Sequence, residues 1–176
     1  MSAFDPLRTF RQIVSPVGER QRFRYGCIMH SLTARYEPDD DGTGELLITV
    51  QGDYAGTGAA WFSEDQLNAF CDALERYPLD KADLPRLEGG YWDDTKRGGL
   101  KERHVGLLVA PHDALGSLSV SVSLAEPAEN ADPYARRRAV TTWFLVGYNE
   151  VAQFARELKR LVAGGPGSAV LERRVS

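Results

Sequence analysis

The stretch Ser117–Leu124, S-L-S-V-S-V-S-L, decides the fold class. Leu118, Val120, Val122 and Leu124 alternate strictly with four serines. Such a period of two is the mark of a β-strand with one dry face and one wet face. On a helix the same apolar side chains would be spread all round the cylinder. Serine adds little bulk, so the wet face stays open to water or to a partner.

Working outward, Pro111-His112-Asp113-Ala114-Leu115-Gly116 has the chemistry of a hairpin turn and joins this strand to one over His104–Ala110. An acidic loop, Glu126–Pro133, follows it. Arg136-Arg137-Arg138 then leads into a strand through Val146. Asn149 is expected to cap a final helix with Val151, Phe154, Ala155, Leu158, Leu161 and Val162 turned inward. The glycine run from Gly164 to Ser168 follows that helix. Phosphate loops need their glycines ahead of a helix, so this run reads as a stop and the start of a flexible tail over 164–176.

Toward the N-terminus, Phe4, Leu7, Phe10 and Ile13 suggest a short helix or docking arm over 1–18. Arg22–Tyr36, Glu45–Gln51 and Tyr54–Phe62 read as strands. Gly56 and Gly58 inside the last imply a bulge or a close backbone approach. Ser63 caps a helix whose Leu67, Phe70, Cys71 and Leu74 recur at helical spacing until Pro78. Leu79–Glu102, rich in Pro, Gly and charge, reads as a long irregular segment in which Tyr91 and Trp92 either form a short strand or pack inward, or stand out as a binding loop.

Two parts of the chain echo one another. Trp61-Phe62, a cap and Leu67-x-x-Phe70-x-x-x-Leu74 match Trp143-Phe144, a cap and Val151-x-x-Phe154-x-x-x-Leu158. The fold expected is therefore α+β, a single domain over 1–176. Its core is an antiparallel sheet of about six strands carrying two helices, built as two strand–strand–helix halves too small to bury their own faces.

With 176 residues, 43% hydrophobic and 26% charged, the chain can bury one core. No apolar run of about 18 residues and no export signal are seen, so no membrane span is expected. Cys27 and Cys71 make no C-x-x-C pair, which suits free thiols in the cytoplasm. The net charge of −4 is unevenly spread: residues 37–94 hold three Lys/Arg against fifteen Asp/Glu. That acidic middle argues against a nucleic-acid partner and suits a basic protein, unless the basic flanks neutralise it within the fold.

Several stretches invite chemistry. Asp39, Asp41 and Thr43 with Gly44 mimic the opening of an EF-hand loop, but the position that must supply a bidentate carboxylate is Val50. No metal and no cofactor are expected. His112-Asp113 has a sufficient role in its turn, and no third catalytic group is placed beside it. The expected partner-binding residues are the aromatic and acidic Tyr91, Trp92, Asp93 and Asp94, with Asp39, Asp40 and Asp41 of the turn.

The stretch L-V-A-P-H-D-A-L-G-S-L-S-V-S-V-S-L, Leu108–Leu124, with the loop, aromatic strand and helix that follow, resembles a group of small bacterial domains. Some of these are similar to WapI-type immunity proteins, which accompany polymorphic toxins. The likeness spans roughly residues 45–162 and rests on layout and the His112-Asp113-x-x-Gly116 hairpin. It implies a cytoplasmic, non-enzymatic protein that neutralises a partner toxin. Three functions compete at this point. The first is a binding protein for a basic partner, as a monomer or a homodimer. The second is a small-molecule module using the serine face. The third is a small hydrolase using His104 or His112.

Overall fold

A computed structural model describes residues 30–92, 99–128 and 137–172. The expected arm over 1–18, Cys27, Asp93 and Asp94 lie outside the described residues. The elements run β1 (Ser31–Pro38), β2 (Thr43–Gln51), β3 (Gly56–Ser63), α1 (Glu64–Leu74), β4 (Arg86–Trp92) and β5 (Leu100–Pro111). Then follow β6 (Ser117–Ala125), β7 (Ala139–Gly147), α2 (Tyr148–Val162) and β8 (Ala169–Glu172).

Among the described residues the fold is α+β, with two helices, but the strands form two four-stranded antiparallel sheets rather than one sheet of about six. Their orders are β8-β1-β2-β3 and β4-β5-β6-β7. Each sheet is thus a meander whose last strand runs directly into a helix, with one further strand beside the first. In the second half that further strand is β4, joined to β5 in sequence. In the first half it is β8, supplied from the far end of the chain. The two halves suggested by the echo therefore share one layout of four strands and a helix.

Periodicity placed the dry face of β6 correctly: Leu118, Val120, Val122 and Leu124 are buried. Leu46, Ile48 and Val50 of β2 are buried as well. The serines of β6 face the other way, half-buried, opposite Gly106, Leu108 and Ala110 of β5 and Leu145, Trp143 and Thr141 of β7. A single cluster of buried side chains spans both sheets and both helices.

The sheets stay separate because β3 packs across the second sheet instead of pairing with its edge. A Cβ at Gly56 would meet Val140 of β7. At Gly58 it would meet Leu124 of β6 and the His104 carbonyl of β5. Gly89 of β4 faces Ala60 and Phe62 further along. Successive inward residues of β3 thus meet successive strands, the mark of crossed sheet packing. Gly58 meets backbone, the His104 carbonyl, as its place inside a strand implied, while Gly56 and Gly89 make room for side chains of the facing sheet.

Ser63 caps α1 as expected. Its hydroxyl accepts from Gln66 N at 3.2 Å while Gln66 Oε1 accepts from Ser63 N at 3.0 Å, a reciprocal box that contributes about 1 kcal/mol. Asn149 does not cap α2: the helix starts two residues earlier than that cap implies, Gly147 holds the cap position, and no side chain bonds there. Lys159 of α2 reaches across to α1, its Nζ 2.6 Å from Asp72 Oδ1 and 2.7 Å from Glu75 Oε2.

Two stretches read as irregular contain strands. β4 lies within the Pro- and Gly-rich segment after α1 and takes in the short strand allowed at Tyr91 and Trp92, and β8 lies within the supposed tail. Ala169 and Leu171 of β8 are buried against β1, opposite Ala34 and Leu32. Neither strand shows a strong local signature, so their pairing partners make them.

Cys71 sits in the inward stripe of α1, and burial pushes its thiol up to about 12 despite the nearby Lys159. The protonated thiol is a poor nucleophile. We expect Cys71 to resist iodoacetamide at about pH 8 in the native protein and to react once unfolded, as read by peptide mass spectrometry. Rapid labelling of native Cys71 would contradict the packing of α1.

Candidate functional site

The Asp39–Asp41 turn has its own local logic. Asp41 Oδ1 accepts from Thr43 N at 2.9 Å and Thr43 Oγ1 at 2.6 Å, which holds its carboxyl below the usual range. Among the described residues no three His, Cys, Asp or Glu side chains are grouped to hold a metal ion. The turn packs on the start of α1, where Glu64 N donates to Gly42 O at 3.0 Å. Glu37, Asp39, Asp40, Asp41, Glu64 and Asp65 are thereby gathered at one end of the first sheet.

Much of the remaining acidity is neutralised inside the fold. Asp72 and Glu75 pair with Lys159, Asp83 with Arg76, and Glu88 with Arg86 and Arg103. No Lys or Arg pairs with the turn cluster or with Glu45 among the described residues. Most of the unneutralised acid among the described residues is therefore at this end of the sheet, with Asp53 and Asp80 elsewhere.

That cluster continues into an aromatic cleft. Register sets Glu37, Glu45 and Trp61 side by side across β1, β2 and β3, all with the parity of the outer face. Trp61 is 56% exposed. Glu45, Leu47, Ala59 and Trp61 form one wall of a cleft of about 580 Å³; Tyr91, His104, Glu126 and Pro127 form the other. Tyr91 is 55% exposed, and its ring meets His104 edge-on at 4.6 Å. Trp92, also half-exposed, follows across a register shift and does not line the cleft. The structure thus links Tyr91 with the Asp39–Asp41 end through two residues the sequence reading passed over, Glu45 and Trp61. The signal available was the odd parity of Trp61 next to buried Phe62.

Behind His104, Glu102 Oε1 accepts from Ala128 N at 2.6 Å and lies 2.9 Å from Arg137 Nη2 and 3.2 Å from His104 Nε2. His104 Nε2 is buried and makes no hydrogen bond. Burial pushes the Glu102 carboxyl up, but the Ala128 bond and the charges of Arg137 and His104 outweigh it and hold the group low. Arg137 also donates to Arg103 O at 2.7 Å, so the cluster pins both ends of the loop between β6 and β7 to β5. This gives Glu102 and Arg137 a structural task.

His112 is elsewhere. It lies in the hairpin turn, stacked on Trp143 with centroids 6.3 Å apart. Asp113 Oδ1 accepts from Leu115 N at 2.8 Å and Ser117 N at 3.0 Å, the latter bond foremost in holding its carboxyl low. The two histidines named for hydrolysis are not brought together.

The serine face holds a hollow of about 150 Å³ over Ser121, Ser123, Gly106 and Leu108, edged by Arg86, Glu88 and Arg103. Sites for drug-sized ligands run to about 300 Å³ and above, so this one is small for the role.

No family model, curated protein or solved structure matches the chain. The geometry of these surfaces therefore carries the functional argument. No helix among the described residues is long and apolar enough to cross a membrane.

Proposed function

We propose that this chain is a non-catalytic binding protein that docks a basic protein partner. Its docking surface runs from the Asp39–Asp41 turn through Glu37, Glu45 and Trp61 to Tyr91. The observation that carries the reading is the continuity of unpaired carboxylates with two half-exposed aromatic walls of one cleft. Exposed Trp and Tyr are the side chains that most often dominate an interface, and carboxylates without internal cations favour encounter with a positive surface. An immunity or accessory protein that neutralises a basic toxin is the setting in which such a surface makes sense. The neutralisation of Asp72, Glu75, Asp83 and Glu88 within the fold weakens the claim of the other acidic residues.

The test is calorimetric binding to the purified products of the genes adjoining this chain's own, a basic protein among them being the expected binder. Trp61→Ala is expected to weaken binding about 30-fold or more. Glu45→Gln should weaken it less, with a loss that shrinks as salt is added. Binding that survives Trp61→Ala combined with Tyr91→Ala would exclude this surface as the docking face.

A further inference from the structure

The likeness of the two halves extends to their clefts. His104 immediately precedes Val105, the first β5 residue paired with β6. His30 immediately precedes Ser31, the first β1 residue paired with β2. Glu126 lies two residues beyond Leu124, the partner of Val105; Asp53 lies two beyond Gln51, the partner of Ser31. Trp61 and Trp143 each stand on the strand that leads into a helix, each followed by a buried Phe. Histidine, carboxylate and tryptophan therefore recur at corresponding places.

They also converge on a second cleft, of about 410 Å³, lined by His30, Asp53, Tyr54 and the Thr141–Leu145 part of β7. Tyr54 is 66% and Trp143 60% exposed, so this cleft too has a Trp and a Tyr in its walls. Asp53 Oδ2 is 3.3 Å from His30 Nε2, and no Lys or Arg pairs with it among the described residues. His30 is backed by Phe144 at 6.2 Å between centroids.

We propose that the His30 cleft is a second binding site, taking an arginine side chain of a basic partner as the Trp61–Tyr91 cleft does. The inference rests on the docking reading above and deepens it. A guanidinium is planar, stacks on an aromatic face and pairs with a carboxylate, and each cleft offers both surfaces. A basic partner with two suitably spaced arginines would gain from simultaneous capture, since the second contact is made at high effective concentration.

The experiment uses the full chain labelled with 5-fluorotryptophan, whose three tryptophans give three fluorine resonances. It is titrated with acetyl-Gly-Arg-Gly-amide and, as an uncharged control, the matching norleucine peptide. The Trp61 and Trp143 resonances should both shift saturably with the arginine peptide only, while Trp92 stays still. Asp53→Asn should weaken the Trp143 response about tenfold and leave that of Trp61 unchanged, which also reports that the variant is folded. Glu45→Gln should do the reverse. Silence of Trp143 with a response at Trp61 would overturn the second site and leave the docking reading standing. Silence at both, or equal responses to the norleucine peptide, would overturn arginine capture in either cleft. The Trp61→Ala binding measurement then decides the docking reading by itself.

Discussion

Replacing Gly90 with alanine is expected to cost about 3–5 kcal/mol of folding stability, the largest loss from one added methyl group at a described glycine. Gly90 sits at φ +153° where β4 shifts register against β5. A side chain there is strained whatever the space around it. The space is also filled: a Cβ would lie 2.0 Å from the Glu102 carbonyl oxygen and 2.9 Å from His104 N. Both neighbours are backbone, so no rotamer change can relieve the contact. Gly116 provides the control, with φ +92° but no atom within 4 Å of its added Cβ. Gly116→Ala should lose about 1–2 kcal/mol, the cost of the left-handed backbone alone. Urea unfolding of the two variants measures the difference, and equal losses would contradict the close approach of β4 to β5. The Gly90 variant should also disturb the cleft, because Gly90 lines it and holds the next residue, Tyr91, against His104.

Leu171→Ala is expected to cost about 2–4 kcal/mol, as for other fully buried leucines. Leu171 is 2% exposed and stands opposite Leu32 across the β1–β8 pair. Val170, its neighbour on the same short strand, is 37% exposed on the other face. Val170→Ala should change stability by no more than about 0.5 kcal/mol. A free tail would make both substitutions neutral, so the pair of measurements distinguishes a strand from a tail. Loss of β8 would also uncover the edge of β1 from Ser31 to Ala34, which then offers unpaired backbone groups to other chains. A rise in aggregation on unfolding titration of Leu171→Ala would be consistent with that edge.

The candidate surface was partly legible. Tyr91 and Asp39–Asp41 stood out by residue type, and the structure connects them through Glu45 and Trp61. Pairing of β2 with β3 brings Trp61 beside Glu45, and that register is not written in either strand alone. Trp92 drew notice for the same reason as Tyr91, yet only Tyr91 lines the cleft. Consecutive residues of a strand point to opposite faces, so an aromatic pair seldom acts as one unit.

What the sequence determined by itself is local. Alternation fixed the dry face of β6, helical spacing fixed the inward stripes of α1 and α2, and Ser63 fixed the start of α1. Each depends on residues a few positions apart, whose geometry is set by a period of 2 or 3.6. The echo of Trp-Phe and helix even announced the two halves. Tertiary structure alone decided that the strands form two sheets, that β8 completes the first, and that two histidines far apart in the chain occupy corresponding clefts. Those outcomes depend on pairing and packing between distant segments. A four-residue strand such as Ala169–Glu172 has too little local preference to form alone, and it forms because β1 offers it an edge and the core offers Leu171 a place.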